Sequence, residues 1–153
     1  MSDVNVAFFL TPKSEVVCIP LDSTMREALE KMEYHQYTAV PLIDDSGCYV
    51  GVLTEGDLLW EIKRRDVFCV RDLEKIPLSE VRRNVRHQAV SIHEDVQSLL
   101  SLALDQNFVP VVDDKGVFIG IVTRKTVIEF FAAEYLKKHP LKGRSTALHG
   151  GDD

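Results

Sequence analysis

One stretch of this chain occurs twice. Residues 41–54 read Pro-Leu-Ile-Asp-Asp-Ser-Gly-Cys-Tyr-Val-Gly-Val-Leu-Thr, and residues 110–123 read Pro-Val-Val-Asp-Asp-Lys-Gly-Val-Phe-Ile-Gly-Ile-Val-Thr. The offset is a constant 69, and 6 of the 14 positions are identical. Most of the others exchange one apolar residue for another. Upstream the offset becomes 71: Ile19-Pro20-Leu21 lies over Val90-Ser91-Ile92, and Met25 over Val96. An internal repeat of this period means two copies of one supersecondary unit.

Each copy reads as β-α-β-β-α. In the first, 16–19 is a short β-prone run, and Asp22, Ser23 and Thr24 offer N-cap side chains. A helix is expected over 25–33, with Ala28, Leu29 and Met32 on one face. Strands are expected over 38–43 and 48–53, joined by the turn Asp44-Asp45-Ser46-Gly47. A helix over 54–63 carries Leu58, Leu59 and Ile62. The second copy predicts strands at 89–91, 108–112 and 117–122, with helices at 95–105 and 123–137. Between them, 65–77 mixes charge with Val67, Phe68, Val70 and Ile76 and reads as a packed connector. The division expected is 1–66 for the first repeat with its N-terminal segment, 67–138 for connector and second repeat, and 139–153 for a disordered tail. A unit of this size cannot bury its sheet and helices alone. Two units packed face to face can, and their pseudo-twofold symmetry creates two equivalent clefts.

Charge and composition exclude several roles. Lys plus Arg number 18 against 24 Asp plus Glu, a net charge of −6. That argues against nonspecific nucleic-acid binding, which needs a basic face. No run approaches the roughly 20 apolar residues of a membrane-spanning helix, and the N-terminus lacks a basic region before its short apolar run at 6–10. Cys18, Cys48 and Cys69 are odd in number and far apart, so a reducing cytoplasm is the expected compartment. No P-loop, GxGxxG, Gly-x-Ser-x-Gly or HExxH occurs, and the histidines lack metal-ligand spacing. No catalytic constellation is found.

Ala39-Val-Pro-Leu-Ile-Asp44, Gly47 and Gly51-Val-Leu-Thr54-Glu-Gly-Asp57 in the first copy resemble a CBS domain. Val109-Pro-Val-Val-Asp113, Gly116 and Gly120-Ile-Val-Thr123 in the second resemble another. Together they resemble a tandem CBS pair, or Bateman module, of the stand-alone bacterial type, over about 6–138. The resemblance implies an α/β (α+β) fold of two repeats. It also implies a cytoplasmic regulatory module that binds adenosine-containing ligands, is often a homodimer, and has no catalysis or cofactor of its own.

The resemblance assigns the residues as follows. Thr54 and Asp57 stand at a helix start, where the Thr serves ribose or phosphate and the carboxylate grips a ribose diol. Thr-x-x-Asp is equally the pattern of a capping box that needs no ligand. In the second copy the acid is replaced by Thr126, and Thr123, Arg124 and Lys125 suggest a phosphate partner or plain solvated charge. Val16, Val17, Tyr37, Thr38, Ala39 and Pro41 would line a base pocket, and Val109 and Pro110 are their counterparts in copy two. Arg86 and His87 lie over Glu15 and Val16 at a cleft mouth, placed to neutralise phosphate. Val127, Phe131 and Tyr135 form one helix face, part of it internal core and the excess suited to a dimer interface. The expected function is a non-catalytic sensor of AMP, ADP or ATP that signals to an unknown partner protein. The alternatives are a cyclic di-AMP receptor, which Tyr37-Thr38-Ala39 and Arg124 favour, and a ligand-free dimerisation scaffold.

Overall fold

The computed structural model describes residues 4–141. The expected tail falls almost wholly outside the described residues. In chain order the elements are β1 (Thr11–Pro12), β2 (Ile19–Pro20), α1 (Met25–His35), β3 (Ala39–Ile43), β4 (Tyr49–Thr54) and α2 (Glu55–Arg64). The second half adds β5 (Val90–Ser91), α3 (Val96–Ala103), β6 (Phe108–Val112), β7 (Phe118–Thr123) and α4 (Arg124–Lys138). The two repeats thus fold as the mixed α and β units expected, into sheets ordered β2-β3-β4 and β1-β7-β6-β5.

Local chemistry sets the boundaries. Each of the four α-helices among the described residues begins at a side-chain cap: Thr24, Thr54, Asp95 and Thr123 each accept a hydrogen bond from the N–H three residues on. The two hairpin turns are copies of each other. Asp44 Oδ1 accepts from the Ser46 and Cys48 N–H groups, and Asp113 Oδ1 accepts from Lys115 and Val117. Gly47 and Gly116 take φ of +82° and +81° there, which a Cβ would oppose. The shift of offset from 69 to 71 lies in the first helix of each copy: α1 has 11 residues and α3 has 8.

The cores do not divide at 66/67 as the sequence suggested. One core gathers Ile19, Met25, Met32, Leu42, Leu53 and Leu58 with Leu73 and Ile76 of the connector and Leu78 and Val81 just beyond it. The other gathers Val90, Leu99, Val109, Val111 and Val122 with Val6 and Phe9 from the N-terminal segment. The ends have crossed. Strand β1 pairs antiparallel with β7, Thr11 opposite Ile121 and Pro12 opposite Gly120. The connector is pinned to the first half by Met25 N–H to Ile76 C=O and Leu78 N–H to Ser23 C=O, each 2.8 Å. The reason is geometric: each β-α-β-β-α unit leaves an apolar flank uncovered, and the segment entering from the other side covers it.

One expected detail changes. Phe68 and Val70 are exposed, Phe68 at 94%, while Ile76 of the connector is buried together with Leu73 and, just beyond the connector, Leu78 and Val81. The apolar face of α4 is partly used within the chain. Val127 is buried, and Phe130 packs edge-on against Phe8 and Phe9 at 5.4 and 5.1 Å. Tyr135 stays exposed, stacked on His139. No helix among the described residues is long and apolar enough to cross a membrane.

Candidate functional site

Two clefts lie between the repeats, on opposite sides of the pseudo-twofold. The first is a cavity of about 330 Å³. Six residues expected to bind nucleotide meet there: Val16, Val17, Tyr37, Ala39 and Pro41 from the first repeat, and Thr123 from the second. Thr11, Glu15, Asn107, Phe108 and Ile121 complete its lining.

Pro41 leaves a backbone carbonyl open at the edge of this otherwise apolar cleft. Strands β2 and β3 run parallel, Ile19 opposite Leu42, and Leu21 N–H donates to Ile43 C=O at 2.8 Å. That phase of a parallel ladder would next join the Val17 carbonyl to the N–H of residue 41. Residue 41 is Pro and has no N–H. The Val17 carbonyl is therefore left without a ladder partner, and the expected strand at 16–19 shrinks to Ile19–Pro20. The N–H and C=O of Val17 have no partner among the described residues. Val17 is half-buried on the cleft wall, and a ligand presenting a donor beside an acceptor fits this edge. Apolar walls from Val16, Ala39 and Ile121 suit a flat ring between them.

The second cleft is larger, about 860 Å³, and basic. Tyr49, Gly51 and Val52 of β4 form one wall, and the connector brings Arg83, Asn84, Arg86 and His87 to the other. The Tyr49 hydroxyl donates to the His87 carbonyl at 2.6 Å. Burial pushes its pKa up to about 12, against the opposing pull of Arg83. The His87 ring stacks on Phe108 at 6.3 Å, and its buried Nδ1 has no hydrogen-bond partner among the described residues. Arg86 and His87 line the second cleft and not the one that gathers Val16 and Val17.

The remaining assignments are placed elsewhere. Thr54 and Asp57 close a capping box: Asp57 N–H donates to Thr54 Oγ1 at 3.1 Å, and Thr54 N–H to Asp57 Oδ2 at 2.9 Å. Asp57 Oδ1 then accepts from the Asn84 N–H at 2.9 Å and the Asn84 Nδ2 at 3.1 Å. With 1% exposure, this carboxylate pins the connector to α2 and lines neither cleft. Arg124 turns back over α3, its Nε donating to Ala103 C=O at 2.8 Å and its Nη2 to Leu104 C=O at 3.4 Å. A guanidinium at a helix C-terminus is well placed, and this one needs no phosphate. Thr38 faces a separate apolar groove between α1 and α2, of about 530 Å³, and its carbonyl accepts from Glu55 N–H. Val109 and Pro110 are buried in β6, Val109 within the second core.

Thr11, Glu15, Asn107, Phe108 and Ile121 were not among the residues expected to bind nucleotide. Ile121 was within reach, because residues 121 and 123 share a face of one strand. Thr11 was not, since only the crossing of the N-terminal segment brings it there. Among the described residues no group of three or more His, Cys, Asp or Glu is placed to hold a metal ion.

A family model described as CBS domain matches residues 5–64 and 77–133, the two repeats described above. The chain belongs to the CBS-domain family. As a CBS pair it is similar to inosine-5'-monophosphate dehydrogenase of Methanocaldococcus jannaschii, 25% identical over 115 residues; these make up 75% of this chain but only 21% of that protein. Among solved structures, the CbpB protein of Listeria monocytogenes in complex with c-di-AMP superposes with TM-score 0.75 at 21% identity, covering 88% of this chain and 98% of that one. CBSX2 in complex with AMP superposes with TM-score 0.66 at 26% identity, covering 87% and 98%.

Proposed function

We propose that this CBS pair is a regulatory nucleotide sensor, without catalysis of its own, that holds one adenine in the first cleft. The unpaired N–H and C=O of Val17 carry this reading. The Watson–Crick edge of adenine offers an amino donor beside a ring-nitrogen acceptor, which complements a backbone acceptor and donor on one residue. Val16, Ala39 and Ile121 would sandwich the ring, and Thr123, at the head of α4, would receive the sugar or phosphate. Because the cleft joins both repeats, a bound nucleotide favours the arrangement that closes on it, and a partner protein or second copy reads the difference.

AMP, ADP or ATP is the first ligand class. Cyclic di-AMP is a second reading with its own support. In the second repeat Thr126, not an acid, stands at the sequence position of a diol-gripping carboxylate, hydrogen-bonded to Thr123 of the first cleft, and Asp57 is engaged with Asn84. The CbpB structure named above carries that ligand.

Thermal unfolding against AMP, ADP, ATP and cyclic di-AMP tests the proposal. A native-state ligand at a hundredfold excess over its Kd stabilises by about 2.7 kcal/mol, a rise of about 5–10 °C for a chain of this size. A shift with the mononucleotides supports the first reading, and one with cyclic di-AMP alone supports the second. No shift with any of them overturns both and leaves a ligand-free scaffold.

A further inference from the structure

The second cleft should present the same open edge, and it does not. The repeat places Gln88 over Val17, Phe108 over Ala39 and Pro110 over Pro41. Pro110 again lacks the N–H that would serve residue 88. Yet both backbone groups of Gln88 are satisfied, by one side chain. Gln88 N–H donates to Gln106 Oε1 at 2.9 Å, and Gln106 Nε2 donates to Gln88 C=O at 3.0 Å and to Phe108 C=O at 3.3 Å. Gln106 is buried at 7% exposure. Its counterpart in the first repeat, Tyr37, is 43% exposed and leaves the Val17 edge open.

We propose that Gln106 is a built-in stand-in for a nucleobase, which closes the base slot of the second cleft and limits the chain to one bound base. A primary amide and the Watson–Crick edge of adenine carry the same pair, a donor beside an acceptor. The Gln106 amide makes on Gln88 the two bonds that the proposed ligand makes on Val17, and this inference rests on that reading of the first cleft. A tethered side chain competes at high effective concentration with a free ligand, so the slot stays shut at ordinary nucleotide levels. The specificity of the module for one base per chain is then set by Gln106 and not by the more open, basic remainder of that cleft.

The test is calorimetric stoichiometry with AMP on the wild-type chain and on Gln106→Ala, each first shown to unfold cooperatively. The variant is expected to bind one more AMP per chain than the wild type. Equal stoichiometry in a folded variant overturns the proposal. A wild type that binds none while the variant binds one supports the plug and overturns the reading of the first cleft alone. A wild-type measurement holds even if the variant does not fold: on saturation with AMP the backbone amide resonance of Val17 shifts and that of Gln88 stays in place. A Gln88 shift equal to that of Val17 overturns the proposal.

Discussion

Cys48 and Val117, the same position of the two repeats, face each other in an antiparallel bridge. Around them Tyr49 N–H donates to Gly116 C=O at 3.0 Å and Phe118 N–H donates to Gly47 C=O at 2.9 Å. Equivalent residues exchange equivalent bonds, so the pseudo-twofold axis passes between the two hairpin turns. The repeats are therefore joined backbone to backbone at the axis, with a cleft on either side.

Gly116 is the cleanest probe of this joint. Its φ is +81°, and a Cβ there would meet nothing within 4 Å. Gly116→Val therefore costs only the backbone conformation, about 1–3 kcal/mol. Urea unfolding should show a lower midpoint with an unchanged slope. An unchanged midpoint would mean that the turn relaxes freely and that the joint does not constrain it.

Asp57 separates structural from ligand-binding roles. Asp57→Ala removes a cap and leaves Asn84 without its acceptor, at a cost of about 1–3 kcal/mol. Because its carboxylate lines neither cleft, AMP affinity should stay within about twofold, about 0.4 kcal/mol of binding free energy. A tenfold or greater loss of affinity with stability intact would restore the diol-binding role.

Glu61 gives the fold a pH dependence. Burial at 6% exposure pushes its carboxyl pKa up, but the Arg82 backbone N–H at 3.0 Å and the Arg65 and Arg64 guanidiniums at 3.2 and 3.5 Å outweigh it and hold the pKa below the usual carboxylate value. A pKa lower in the folded than the unfolded chain stabilises above the ordinary carboxylate range, and that contribution is lost as pH falls through the depressed value. Glu61→Gln should cost about 1–3 kcal/mol at pH 7, and the gap to the wild type should close as the pH drops below the ordinary carboxylate range. A gap that is constant with pH would contradict this assignment.

Ala39→Phe should close the first cleft without unfolding the chain. The second repeat already carries Phe108 at the equivalent point of β6, half-buried and accommodated. The larger side chain fills the space of the ring, so AMP affinity should fall at least tenfold, about 1.4 kcal/mol. Calorimetry with undiminished affinity would place the ligand elsewhere.

How much of this was legible in the sequence depends on the range of the interaction. The repeat, the hairpins and the helix starts rest on local chemistry, Asp44 and Asp113 in the turns and Thr54 and Thr123 at the caps, and the residues declare it. The gathering of Val16, Tyr37, Ala39 and Thr123 was what the resemblance to CBS domains implied, and packing two copies face to face supplied only the cleft. The crossing of the chain ends was not legible. It depends on β1 lying so close to β7 that a Cβ on Gly120 would run into the Thr11 carbonyl. A bare glycine in a strand does not say which segment approaches it. The Thr54 and Asp57 pattern fitted two roles equally, and Asn84, 27 residues downstream of Asp57, engages the carboxylate. The shortening of β2 was legible in principle, since Pro41 announces a missing donor, but only once the register fixed Val17 as the carbonyl left without it.

The central claim is that a nucleobase lies against Val17 in the first cleft. Intermolecular nuclear Overhauser effects from bound AMP test it most directly. The account predicts contacts from the adenine H2 and H8 protons to the methyls of Val16, Ala39 and Ile121. Contacts to Val52, Val81 and Val85, across the second cleft, would contradict it.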